Sequence, residues 1–252
     1  MREDVNKFIA YLAIVATPFA LGAFLLAWSP AQQFSNEDPT ADVYVQPRSV
    51  EALVERTQES TVTVWCDPNE GKSSQGTAWA IELEEDATKF YPTVLITNHH
   101  VIDSCIGQGG VITVALPYEE RAAAVLLRWD EENDLAVLRT TLRLPALALS
   151  EYDPDPGYWV MALGSADGYE GSVSFGNVIN SNRTEILVTN NISNGSSGGA
   201  LVDNEGNVVG VITWSFEEQQ YNGAVSLNAF CLKTLECKNE YEGEKTWWDY
   251  SE

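Results

Sequence analysis

Three short strings carry side chains that could act together: Thr97-Asn98-His99-His100, Asn133-Asp134-Leu135 and Gly195-Ser196-Ser197-Gly198-Gly199. An imidazole can take the proton of a hydroxyl, a carboxylate can orient that imidazole, and the resulting oxyanion can attack a carbonyl carbon. Glycines around a serine permit unusual backbone angles and let a substrate main chain come close. Consecutive amides in such a turn can converge on an anion, which is what a tetrahedral oxyanion needs. Each string alone has a plainer reading: a flexible loop, a hydrogen-bonded loop histidine, a strand-entry aspartate. All three stand at the ends of strand-like runs, and together they argue for one constellation.

Strings this far apart need a folded scaffold to meet. From Ser60 onward the chain offers short runs rich in Val, Ile, Leu and Thr, separated by Gly, Asn, Asp and Pro. They are Thr61–Trp65, Thr77–Ile81, Thr93–Thr97, Val111–Leu116, Ala123–Trp129, Leu135–Leu138, Tyr158–Leu163, Val173–Ile179, Ile186–Thr189, Ala200–Val202 and Val208–Trp214. Strand-length runs at this spacing predict an all-β sandwich or barrel. Asp203-Asn204-Glu205-Gly206 is a hairpin-turn signal. Asn228–Leu235 is the one helix expected in this region.

The 252 residues include 37 acidic and 14 basic side chains, a formal net charge of -23. Such a balance repels phosphate backbones, so nucleic acid is excluded as a partner. Basic or unfolded polypeptides remain suitable partners, although a solvated acidic surface is the simpler account. Two adjacent histidines cannot build a zinc site of several imidazoles; no metal and no cofactor is expected. The four cysteines have no C-x-x-C spacing. Outside the cytosol they allow disulfides Cys66–Cys105 and Cys231–Cys237, with four buried thiols as the alternative.

Phe8–Trp28 is an uncharged apolar run of 21 residues following Arg2 and Lys7. At about 1.5 Å per helical residue it suffices for a bilayer core of about 30 Å. Acidic residues dominate beyond it until Arg48, which leaves the N-terminus inside and exports the rest. Residues 1–29 therefore read as a signal anchor or, with Ser29-Pro30-Ala31 as a cleavage region, a signal peptide. Residues 30–58 read as a linker, 59–237 as the main extracytoplasmic domain and 238–252 as an acidic tail.

Thr97-x-x-His100-Val101, Asp134-Leu135-Ala136-Val137-Leu138 and Gly195-Ser196-Ser197-Gly198-Gly199-Ala200-Leu201 resemble the active-site motifs of trypsin-like (chymotrypsin-fold) serine peptidases. The similarity is closer to the bacterial HtrA/Deg branch and extends over about Ser60 to Leu235. Gln75–Ile81, Ala162–Ser165 with Val173–Val178, and Val209–Trp214 resemble further family strands. The resemblance implies two six-stranded antiparallel β-barrels behind the N-terminal transmembrane or signal helix. It implies His100, rather than His99, as the base, Asp134 as its orienting acid and Ser197 as the nucleophile. The amides of Gly195 and Ser197 would form the oxyanion hole. Thr213, Trp214 and Ser215 would pair with the substrate backbone, with Asn191 at the base of the side-chain pocket and Gly223 in its wall.

Departures from the family pattern refine these expectations. Ser196 replaces the aspartate of digestive members, so activation by clipping is not expected. Asn191 at the pocket base favours a small or apolar substrate residue over Lys or Arg. Too few residues follow Leu235 for a PDZ domain. Trimers are common among relatives of this branch, but no trimerisation motif is present. The expected function is extracytoplasmic hydrolysis of peptide bonds through an acyl-enzyme, in envelope quality control or regulated proteolysis. The alternative is a non-catalytic homologue that binds peptides or a partner protein in the same cleft. An ester hydrolase of the α/β type is excluded, because neither the G-x-S-x-G elbow nor its strand–helix pattern is present.

Overall fold

Apolar residues cover both faces of several strands, and that decides the architecture. The computed structural model describes residues 43–83, 86–107, 109–215 and 221–229. Strands β1 (Thr61–Asp67), β2 (Ser74–Ile81), β3 (Thr93–Thr97), β4 (Val111–Ala115), β5 (Ala122–Asp130) and β6 (Leu135–Thr140) close into one antiparallel barrel. A second closed barrel contains β7 (Trp159–Gly164), β8 (Ser172–Ser181), β9 (Glu185–Val188), β10 (Ala200–Val202), β11 (Val208–Ser215) and β12 (Asn222–Ser226). The spatial orders are β1-β2-β3-β6-β5-β4 and β10-β11-β12-β9-β8-β7.

Side chains alternate across each strand, and here the alternation separates three cores. Leu95, Ala136 and Leu138 point into the first barrel with Val62, Val64 and Ala78. Val94, Ile96, Leu135 and Val137 face outward and pack with Trp159, Met161, Leu163 and Val211 of the second barrel. Val160, Ala162, Ile186, Leu201 and Ile212 fill that barrel's own interior. The two barrels thus share an apolar junction, and the candidate site lies along it. At roughly 25 cal/mol per Å² of apolar surface removed from water, this shared junction resists separation of the lobes.

The twelfth strand, β12, was missing from the sequence reading: Asn222 and Gly223 disguise its start. Residues 50–58, read as linker, contain a helix, α1 (Val50–Gln58), capped by the Ser49 hydroxyl on the Ala52 amide at 3.2 Å. Its Leu53 is buried in the junction core, so the scaffold begins before the expected residue 59. Two shorter helices follow, α2 (His99–Ile102) and α3 (Leu227–Ala229). The latter meets the start of the helix expected over Asn228–Leu235; the remainder of that stretch lies outside the described residues.

The Asp203–Gly206 signal forms a turn between β10 and β11, with Gly206 at φ 87° and its amide on the Asp203 carbonyl. Cys66 and Cys105 form a disulfide with Cα atoms 5.9 Å apart, tying β1 to the segment after α2. Cys231, Cys237, the acidic tail and the apolar run expected to be a transmembrane or signal helix lie outside the described residues. Among the described residues no helix is long and apolar enough to cross a membrane.

Candidate active site

Strand β3 delivers its last residue, Thr97, to the junction, where its hydroxyl donates to the Thr77 carbonyl at 2.7 Å. The chain then turns through Asn98 into α2. The His100 amide donates to Asp134 Oδ1 at 2.9 Å, and His100 Nδ1 lies 2.7 Å from Asp134 Oδ2. A carboxylate only accepts, so Nδ1 carries a proton, and in the neutral ring Nε2 is left as the acceptor. The ring that meets Asp134 belongs to His100; His99 precedes it and is half-buried. Asp134 holds φ 52°, an uncommon left-handed setting for a residue with a side chain. It sits between β5 and β6, where Asp130 caps the turn by accepting from the amides of Glu132 and Asn133.

The serine string folds across the middle of β2 at Thr77. Gly198 sits at φ 83°, and a Cβ there would strike the Thr77 carbonyl and the Thr97 hydroxyl. Thr77 grips the loop twice: its hydroxyl donates to the Gly195 carbonyl at 2.7 Å and its amide to the Ser197 carbonyl at 2.8 Å. The Asp167 amide donates to the Asn194 carbonyl at 2.6 Å. Because the 194–195 peptide is trans, the Gly195 N–H points away from Asp167. Neither the Gly195 amide nor the Ser197 amide donates to a protein acceptor among the described residues.

Ser197 Oγ donates to the Thr213 carbonyl at 3.2 Å, and no hydrogen bond joins it to His100 among the described residues. Thr213 stands at a bulge of β11, where the register with β12 slips between Ile212 and Trp214. The backbones of Trp214 and Ser215 pair with Gly223 and Asn222. Gly223 also pairs with Leu187 of β9. Asn191 is exposed, with its amide on the Ser174 hydroxyl at 2.7 Å.

A cavity of about 350 Å³ opens behind the serine loop, walled in part by Leu163, Asp167, Tyr169, Val173, Ile192 and Ser196. Asn191 reaches its wall. Three residues that sequence reasoning passed over shape the site: Thr77 and Asp167, which hold the serine loop, and Asn98, which contacts Asp134 and Thr213. Their part depends on backbone groups brought close by folding, and no spacing rule signals it.

The trypsin-like peptidase domain family matches residues 76–211. A probable periplasmic serine endoprotease, DegP-like, from Marinomonas sp. is 34% identical over 129 residues, 46% of this chain and 26% of that protein. The serine endoprotease DegS of Salmonella typhimurium is 27% identical over 232 residues, 84% of this chain and 62% of DegS. The chain thus spans about a quarter of the length of the first of these relatives. In structure, it resembles a serine endoprotease from Yersinia pestis with a TM-score of 0.61 at 26% identity, covering 73% of this chain and 64% of that one. The Rv3671c protease of M. tuberculosis in its active form shares the fold, with a TM-score of 0.61 at 20% identity over 74% and 86% of the two chains. With two closed six-stranded antiparallel barrels and more than half its length matched, the chain belongs to the trypsin-like peptidase family.

Proposed function

We propose that this chain is an endopeptidase that cleaves polypeptides through Ser197, His100 and Asp134. The observation that carries the reading is the double contact of Asp134 on His100, to the main-chain amide and to Nδ1. It holds the imidazole in the tautomer whose Nε2 can receive a proton. In the first step Ser197 Oγ leaves the Thr213 carbonyl, gives its proton to Nε2 and bonds to the scissile carbon. The carbonyl oxygen becomes an oxyanion facing the Gly195 and Ser197 amides; losing one such donor typically costs about 10²–10³ in turnover. His100 then returns the proton to the departing amine as the C–N bond breaks. Water, deprotonated by the same ring, releases the acyl group and restores the serine.

Thr213, Trp214 and Ser215 supply backbone groups for an antiparallel peptide, and Asn191 and Gly223 border its side-chain pocket. The uncharged Asn191 and the apolar Ile192 behind it suit a small or apolar residue at the cleaved bond. The excess of 37 acidic over 14 basic residues suits basic or unfolded chains as substrates. Two observations support an extracytoplasmic location: the Cys66–Cys105 disulfide and the periplasmic description of the DegP-like relatives. There the chain would serve envelope quality control or regulated proteolysis, delivered by residues 1–29 and alone or as an oligomer.

The contact of Ser197 with Thr213, rather than with His100, favours one further reading. A serine held there makes the cleft a peptide-binding groove without hydrolysis. Incubation with unfolded casein, followed by mass spectrometry of the products, separates the two. Fragments ending in small or apolar residues, absent with Ser197→Ala, are expected. Intact casein under all conditions would favour the groove.

A further inference from the structure

Asn98 occupies the N-cap position of α2, where an asparagine side chain ordinarily accepts from the helix's own amides. Here it makes no capping bond. Instead the side chain, fully buried, crosses the junction between the barrels. Nδ2 donates to the Asp134 carbonyl at 2.7 Å and to Thr213 Oγ1 at 3.0 Å. The orientation of the amide is fixed, because the Asp134 carbonyl can only accept and the Thr213 hydroxyl proton goes to the Val211 carbonyl at 3.1 Å. Asn98 Oδ1 is left buried with no hydrogen-bond partner among the described residues. A side chain selected for stability alone would cap its helix and leave no buried carbonyl unpaired.

The two acceptors explain the arrangement. Asp134 is the left-handed residue whose carboxylate holds His100, and its carbonyl accepts from Asn98. Thr213 is the bulge residue whose carbonyl receives the Ser197 hydroxyl. One amide group therefore spans from the acid's backbone to the segment that parks the nucleophile. We infer that Asn98 is a positioning residue for the reaction, setting the distance between the His100–Asp134 pair on one barrel and Ser197 on the other. The inference rests on the roles proposed above for His100, Asp134 and Ser197. Because Asn98 acts through other groups, its loss should lower turnover and spare substrate binding.

The test uses the full chain with Asn98→Ala, Asn98→Leu and Thr213→Val. Asn98→Leu keeps the branched shape with somewhat more bulk and removes both donors; Thr213→Val removes one acceptor while keeping the carbonyl. In folded variants, judged by circular dichroism, kcat on an apolar peptide should fall about 10²-fold, as for a misplacement near 1 Å, with KM nearly unchanged. Asn98→Ala combined with Thr213→Val should be no slower than Asn98→Ala alone. A second readout needs no turnover: the downfield proton resonance of His100 Nδ1–H, assigned by its loss in His100→Ala, should shift or broaden in both Asn98 variants. Wild-type kcat together with an unmoved resonance in a folded variant would overturn the inference, as would additive losses in the double variant. If the wild-type chain itself cleaves no peptide, the proposed function fails, and the resonance alone decides the role of Asn98. Should both Asn98 variants fail to fold, Thr213→Val carries the same two readouts.

Discussion

At the residue scale, two neighbouring imidazoles offer the same chemistry, and among the described residues only His100 meets a carboxylate. His100 lies on Asp134 through two contacts, whereas His99 precedes it in α2. His100→Ala should therefore remove peptide hydrolysis, by about 10³-fold or more in kcat, while His99→Ala retains most of it. Steady-state assays of the two variants decide the matter, and the opposite pattern would shift the assignment by one position. His100, the residue favoured by the threonine three positions earlier, is the ring that lies against Asp134. Asn98 stands in the same string, yet its contacts were not readable. They depend on how far β11 slips against β12 and on the left-handed turn at Asp134, neither of which leaves a local mark in the sequence.

Elements were legible where apolar runs were long and unbroken. β3 and β7 are buried on both faces, so Thr93–Thr97 and Trp159–Gly164 read as continuous hydrophobic stretches. Where an element owes its formation to tertiary contact, the sequence was silent. α1 spans only nine residues, with charges at Glu51, Glu55 and Arg56, and is held by Leu53 in the junction core and by the Arg56 guanidinium on the Glu205 carbonyl. β12 begins with Asn222-Gly223 and gains its order from β9 and β11. The serine loop shows the reverse, since its glycines announce a turn that the structure then requires. Gly198→Ala should strain a backbone at φ 83° and drive a methyl group into Thr77 and Thr97. Such strain is of order 1–3 kcal/mol before any clash is counted. We expect lower thermal stability together with loss of turnover; an active variant with an unchanged melting temperature would show that the loop has another course.

For the whole molecule, the barrels and their apolar junction carry the stability, and the acidic surface makes that stability depend on pH. Asp153, in the loop before β7, has its carboxyl pushed up to about 6, first by burial and then by the nearby Asp155. A folded value above the unfolded one means that the folded state holds this proton more tightly. The contribution is fully present near pH 4 and below, and is lost as pH rises through about 6. Asp153→Asn should flatten the fall in melting temperature between pH 4 and 7; an unchanged slope would remove Asp153 as its cause.

The central claim is that Ser197 is made nucleophilic by His100. Labelling with a fluorophosphonate probe, read by mass spectrometry of the modified peptide, tests it most directly. Phosphonylation should fall on Ser197, vanish in Ser197→Ala and slow by several orders of magnitude in His100→Ala. A wild-type chain that stays unmodified, or one that carries the label on Ser196, would contradict the account.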